Sequence, residues 1–312
     1  MTVEPAPGGV DAVYLGPAGT FTELALAELM PADSSTLAVH SIQDALDMVA
    51  DGSASNAIVP FENSVEGSVS VTLDALIHGE PLVIVAESHV AVRFVVMARP
   101  GTELADVRRV GTHPHAAAQT RAWSAHHLPQ AEVLPETSTA RAAEMVSAGH
   151  YDAAIAAAGA ATRHGLQVLA ENVADRPGAV TRFVRLTRPG PPPAPTGADT
   201  TTLAAFLRHN HPGALLELLE QFTARGVDLT RLESRPTGEA LGQYCFAIEA
   251  DGHLDEPRMA EALTGLHRTC RQVRYLGSYP RAERNSRDVP SQASGSAYQR
   301  ARAWVESLTD RP

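Results

Sequence analysis

Five short polar clusters hold most of the side chains in this chain that could do chemistry. They are Gly16-Pro17-Ala18-Gly19-Thr20, Phe61-Glu62-Asn63-Ser64, Gly111-Thr112-His113-Pro114-His115, Glu136-Thr137-Ser138-Thr139 and Thr181-Arg182-Phe183. Each sits where an apolar, strand-like run gives way to a turn or a helical pattern, or closes such a run. Hydroxyls and amides there can hold a small polar substrate or donate to a departing group. An arginine can clamp a carboxylate through its planar fork, and a helix N-terminus adds backbone N–H groups and partial positive charge. Taken singly, each cluster reads as helix capping. Five of them before residue 190 point toward one shared site for an anionic ligand.

Other chemistries are excluded by composition. The chain has no lysine, so its 25 basic residues are all arginine. A Schiff-base lysine, a pyridoxal-phosphate lysine and a Walker-type loop are therefore ruled out. His113 and His115 lack a third ligand at zinc spacing, so no metal is expected. No G-x-S-x-G elbow occurs. Cys245 and Cys270 are too few for a disulfide framework and read as buried thiols. A formal net charge of −11 opposes binding to nucleic acid or an anionic membrane. No apolar run reaches the roughly 18 residues of a membrane span, and Met1-Thr2-Val3-Glu4-Pro5 has no secretory n-region. A cytoplasmic protein is expected.

The elements that must position the clusters alternate in type. Strands are predicted at 10–15, 57–60, 81–86 and 90–98, one ending at 109–111, and others at 131–134, 153–157 and 181–186. Helices are predicted from Thr20 to Met30, from Ser41 to Ala50, from near His113, from Ser138 to Ala148, and to about His164. This is an α/β pattern with largely parallel sheets, and the number of short strands predicts two lobes. Thr20-Phe21-Thr22-Glu23 has the spacing of a capping box. The run from Arg188 to Gly197 is rich in proline and reads as a semi-rigid linker. Beyond it, strands at 201–208, 229–234, 244–249 and 273–277 and helices at 212–225 and 256–267 give the ferredoxin-like order βαββαβ. Such a sheet leaves an edge or face for a second copy. From Arg281 the chain reads as a mobile tail with a short helix near 298–308.

Tyr14-Leu15-Gly16-Pro17-Ala18-Gly19-Thr20-Phe21, Val59-Pro60-Phe61-Glu62-Asn63-Ser64-Val65-Glu66-Gly67, Gly111-Thr112-His113-Pro114-His115 and Thr181-Arg182-Phe183 resemble the signature segments of the prephenate dehydratases. Pro212-Gly213-Ala214-Leu215-Leu216 and Glu233-Ser234-Arg235-Pro236 resemble the phenylalanine-binding motifs of that family's ACT domain. The resemblance runs in order over about residues 10–280. It implies a two-lobed, periplasmic-binding-protein-like catalytic domain at 8–188, a linker at 189–200, an ACT regulatory domain at 201–280 and a tail at 281–312. It implies a cofactor-free lyase of phenylalanine biosynthesis, acting on prephenate as a homodimer or dimer of dimers and inhibited by L-phenylalanine.

By that resemblance Thr181, Arg182 and Phe183 are catalytic. Thr181 donates a hydrogen bond to the leaving hydroxyl, Arg182 is a carboxylate clamp or a structural ion pair, and Phe183 packs beneath. Thr20, Asn63, Ser64, Thr112 and Ser138 are candidate substrate contacts. Glu62 is an acid or a structural carboxylate. Asn210, Gly213, Ala214, Leu215, Glu233, Ser234 and Arg235 would bind phenylalanine between two ACT domains. Because the departing carboxylate loses its charge, the strong anion contacts should go to the pyruvyl end. Two rivals stay open: an arogenate dehydratase, with the same chemistry on an amine, and a non-catalytic sensor of a small ligand.

Overall fold

The computed structural model describes residues 9–239, 243–285 and 288–309. Its contacts divide into two compact units. One holds the described residues up to Thr72 and Ser88–Val184; the other holds Leu73–Glu87 and the described residues from Arg185 on.

The first unit begins β1 (Val10–Leu15), α1 (Phe21–Leu29), β2 (Thr36–Val39), α2 (Ile42–Ala50), β3 (Ala54–Asn63) and β4 (Gly67–Ser68). Next come α3 (Ser70–His78), β5 (Val83–Ala91), β6 (Phe94–Ala98), β7 (Arg109–Thr112), α4 (Pro114–Gln119), α5 (Arg121–His127) and β8 (Glu132–Pro135). It closes with α6 (Thr139–Ser147), β9 (Ala153–Ala157), α7 (Ala158–His164), β10 (Gln167–Ala170) and β11 (Val180–Thr187); α3, β5 and β11 each run on into the other unit or back from it.

Two sheets form, as the short strands predicted. The first has the order β2-β1-β3-β11-β5, with β4 pairing to β3; the second has the order β10-β6-β9-β7-β8. β1 runs parallel to β2 and β3, and β7 parallel to β8 and β9. β6 and β10 are antiparallel, so the second sheet is mixed rather than largely parallel. The run 90–98, read as one strand, is the end of β5 and all of β6, which lie in different sheets. Val90, Val92 and Phe94 are buried on either side of the break, and the exposed Arg93 between the two strands is its one local mark. β2, α3 and β10 escaped the sequence reading: β2 and β10 are only four residues long, and α3 begins among polar residues.

Caps explain several helix starts. Ser41 Oγ accepts from Asp44 N and Ser138 Oγ accepts from Arg141 N, both at 3.0 Å, as the sequence spacing predicts. The capping box at Thr20 is only half formed. Thr20 Oγ1 makes no cap bond and donates to Leu15 O at 3.4 Å, while the Glu23 carboxylate accepts from Gly19 N at 2.7 Å.

The second unit contains β12 (Asp199–Phe206), α8 (Ala214–Thr223), β13 (Leu229–Pro236), β14 (Tyr244–Asp251), α9 (Pro257–Thr269), β15 (Gln272–Pro280) and α10 (Gly295–Thr309). The antiparallel order β13-β14-β12-β15 is that of a ferredoxin-like sheet, with Leu218, Phe222, Met259 and Leu266 of its helices buried on one face. β12 starts two residues earlier than expected, because the Asp199 carboxylate accepts from Thr196 N and Gly197 N at 2.8 and 2.9 Å and so ends the linker in a tight turn. The linker is also pinned through buried His253, whose Nε2 lies 2.9 Å from Pro193 O.

Two features of this unit were not foreseen. Residues Leu73–Glu87 belong to it by packing, although they precede the linker by a hundred residues; Arg274 Nη2 donates to both Gly79 O and Glu80 O at 2.7 Å. The tail, expected to be mobile, docks. Ala293 is buried against Gly226, where an added Cβ would lie 2.6 Å from the Ala293 methyl, and α10 follows.

Candidate functional site

The five clusters lie within the first unit, at the ends of β1, β3 and β11 in one lobe and of β7 and β8 in the other. Three helix starts meet at Gly19. An added Cβ there would lie 3.6 Å from Ala140 Cβ, in the first turn of α6, and 3.7 Å from Ala160 Cα, in that of α7. Gly19 itself leads into α1. Backbone N–H groups and partial positive charge therefore concentrate where the lobes meet.

Thr181 lies at the start of β11 and accepts a hydrogen bond from Asn63 Nδ2 at 2.9 Å. The orientation of the Asn63 amide is fixed by its other end. Oδ1 accepts from Val65 N at 2.9 Å and Glu66 N at 3.2 Å, which only the carbonyl oxygen can do. The amide therefore donates to Thr181, and the threonine keeps its own proton to donate elsewhere. Ser64 holds the two strand ends together. Its N donates to Val180 O at 2.9 Å, and its Oγ accepts from Val180 N at 3.0 Å.

Side chains alternate along a strand, so Thr181 and Phe183 share one face of β11. Phe183 is 2% exposed and packs with Ala12, Tyr14, Ala25, Leu26, Ile58 and Val90. Arg182 takes the other face. Its guanidinium carbon stands 5.1 Å from the centre of the Phe61 ring, and Nη1 lies 3.5 Å from Glu62 Oε2.

The expectation for Thr112 is corrected. It is fully buried, and its hydroxyl donates to Ile155 O at 2.7 Å, tying β7 to β9 instead of facing a substrate. Thr20 and Ser138 stand at the starts of α1 and α6, half-buried.

Two carboxylates that sequence reasoning left without a role in the site bridge the lobes. Glu66, in the turn after β3, accepts from Gln119 Nε2 at 2.9 Å and pairs with His115 Nδ1 at 2.7 Å, both on α4. Glu23 on α1 pairs with Arg163 on α7 at 2.7 Å while holding Gly19 N. Glu66 lies inside the signature-like segment 59–67 and Glu23 in the capping-box position, so both carry a signal in the sequence; what they reach across to carries none. His113 caps α4, its Nδ1 accepting from His115 N at 3.3 Å. Burial, then the neighbouring His115, push its pKa below the ordinary value despite Glu66 nearby. It is a neutral imidazole at neutral pH, with Nε2 carrying the proton. Gly111 sits under Tyr151, where a Cβ would meet the ring at 2.5 Å, and the Tyr151 hydroxyl donates to Glu136 Oε1 at 2.6 Å. Among the described residues no cluster could hold a metal ion, and no helix is long and apolar enough to cross a membrane.

In the second unit, Gly213 starts α8 with φ of +93°, and Ala214 and Leu215 follow it, buried and half-buried. Asn210 lines a cavity of about 360 Å³ with Phe206, Tyr244 and Arg271. Glu233 and Arg235 are half-buried on β13, and Ser234 between them is exposed.

A family model for prephenate dehydratase matches residues 12–191. A prephenate dehydratase of Mycolicibacterium vanbaalenii is 47% identical over 311 residues, covering 95% of this chain and 97% of that protein. A crystal structure of a prephenate dehydratase from Arthrobacter aurescens in complex with L-Phe superposes with a TM-score of 0.90 at 48% identity, covering 97% of this chain and 100% of that one. A structure described as GqqA, a novel type of quorum quenching acylase, superposes with a TM-score of 0.78 at 34% identity, covering 87% of this chain and 98% of that one.

Proposed function

We propose, from the premise that the chain belongs to the prephenate dehydratase family, that it is a lyase converting prephenate to phenylpyruvate, CO2 and water under feedback inhibition by L-phenylalanine. The observation that carries the mechanism is the hydrogen bond from Asn63 Nδ2 to Thr181 Oγ1. As the ring carboxylate leaves as CO2, its bonding pair enters the ring and expels the ring hydroxyl as hydroxide, which takes a proton from solvent to become water. A threonine hydroxyl is too weak an acid to supply that proton outright. It can donate a strong hydrogen bond to the oxygen as negative charge grows there. Asn63 aids this twice: it occupies an acceptor site on Thr181 Oγ1, turning the O–H away, and it makes the oxygen less basic.

The pyruvyl carboxylate would lie against the helix starts around Gly19, with Thr20 and Ser138 within the same region. Thr112 and Ser64 act as frame for the site, and Arg182 acts on the catalytic strand through Glu62 and Phe61. Phenylalanine would bind between the βαββαβ units of two copies, at Asn210, Gly213-Ala214-Leu215 and Glu233-Ser234-Arg235. The assembly would be a homodimer or a dimer of dimers in the cytoplasm. The charges of both signs on β13 suit a zwitterion, and the positive φ at Gly213 suits close backbone approach.

The acylase relative prompts the alternative of Thr181 as a nucleophile. That role needs a base to take its proton, and its partner Asn63 is instead an amide donor. Purified protein should form phenylpyruvate from prephenate, less so with L-phenylalanine present. Arogenate in the same assay separates the two dehydratase activities. Release of acid from an N-acyl substrate without phenylpyruvate from prephenate would overturn the assignment.

A further inference from the structure

We propose that Asp74, on α3, is the residue through which a ligand on strand β13 acts on the catalytic hairpin. The proposal rests on the reading that L-phenylalanine binds at Glu233-Ser234-Arg235. Its own basis is where the two ends of α3 are tied.

The first end is tied to the strand that carries Asn63. Thr72 Oγ1 donates to Pro60 O at 2.7 Å, and Val69 N, one residue before the helix, donates to Phe61 O at 2.9 Å. Asn63 lies two residues beyond Phe61 and sets the direction of the Thr181 hydroxyl. The second end is tied to the regulatory motif. Asp74 Oδ1 and Oδ2 accept from Arg235 Nε and Nη2 at 2.9 and 2.5 Å, a two-pronged pair, and His78 Nε2 lies 3.2 Å from Pro236 O. Leu73, Leu76 and Ile77 between these ties are at most 2% exposed. A short helix packed this closely moves as a body, because close-packed interiors shift between discrete arrangements and do not deform smoothly.

Arg235 is also the residue a zwitterion would engage. Its Nη1 stands 3.4 Å from Glu233 Oε1, and Arg231 continues the row, 2.9 Å from Glu233 Oε2. A ligand carboxylate arriving at this row draws on the same guanidinium fork that holds Asp74. Binding on β13 therefore changes the hold on α3, and α3 begins where the Asn63 hairpin ends. An asparagine at position 74 would keep the size but lose the paired acceptors that give the contact its geometry.

The test uses the full-length chain with Asp74→Asn and Asp74→Glu. Without effector, Asp74→Asn should keep kcat and KM for prephenate within about twofold, since Asp74 touches neither Thr181 nor the helix starts around Gly19. Calorimetry should still show L-phenylalanine binding, while the concentration giving half-inhibition rises about tenfold or more, a size typical of lost coupling. Asp74→Glu, which restores a carboxylate, should recover part of the inhibition. Hydrogen exchange on the unaltered protein gives an arm independent of any variant: L-phenylalanine should change protection across residues 60–78. Inhibition of Asp74→Asn at unaltered L-phenylalanine concentrations, or unchanged exchange at 60–78 with the ligand bound, overturns the relay and leaves the effector site standing. Absence of L-phenylalanine binding to the unaltered protein overturns the effector site, and the relay with it.

Discussion

Replacing Asn63 by aspartate is the sharpest probe of the catalytic hydroxyl, because it reverses one hydrogen bond and keeps the rest. Aspartate has the size of asparagine, and one of its oxygens can still accept from Val65 N and Glu66 N as Oδ1 now does at 2.9 and 3.2 Å. The other oxygen, standing 2.9 Å from Thr181 Oγ1, can only accept. It would take the threonine proton as its hydrogen bond and leave the hydroxyl facing the leaving group with lone pairs. Loss of one donor aimed at developing negative charge costs about 2.7–4 kcal/mol, or about 10²–10³ in kcat. Because the donor matters most in the transition state, KM should change far less than kcat. Thermal melting should stay close to that of the unaltered protein, since both turn bonds survive. Steady-state formation of phenylpyruvate, with melting as the control, reads the result. An Asn63→Asp protein that folds normally and keeps kcat within about threefold would refute the assigned direction of the bond.

Three further outcomes follow from the site. Glu66→Ala removes the link from the catalytic hairpin to His115 and Gln119; at the modest strength of a partly exposed pair, KM should rise by up to about fivefold with a smaller change in kcat. Gly111→Ala drives a methyl into the Tyr151 ring and should destabilise by about 1–3 kcal/mol, read as a lowered melting temperature. His113 has a depressed pKa, so the unfolded chain binds its proton first; stability from this group is present above about 6.5 and is lost as pH falls toward the lowered folded value. A melting series from pH 7 downward should show that loss, and His113→Asn should flatten it.

The sequence made the elements and their caps legible wherever a local signal decided them. Ser41 and Ser138 behave as their spacing predicts, and the βαββαβ order follows from strand and helix patterning alone. What it hid was direction and partnership. Thr112 and Thr181 look alike as hydroxyls beside turns, yet one is spent on Ile155 O and the other stands beside Asn63; only the pairing of strands distant in sequence distinguishes them. Arg182 is adjacent to Thr181 in sequence but opposite to it in space, as any strand requires. Glu23 and Glu66 were visible as carboxylates, but their partners Arg163 and His115 lie on the other lobe. Segment 73–87 carries no mark of the unit it packs with, because buried leucines fit any apolar partner. The tail has a polar composition, and the small residue it buries, Ala293, is one that no periodicity reveals.

The central claim is that Thr181 donates to the departing hydroxyl. It is tested most directly by comparing Thr181→Ala and Thr181→Ser with the unaltered protein on prephenate. The account predicts a loss of about 10²–10³ in kcat for alanine, with KM changed little, and substantial recovery with serine, which restores the donor. An alanine variant with near-normal kcat, or a serine variant as inactive as alanine in a folded protein, would contradict it.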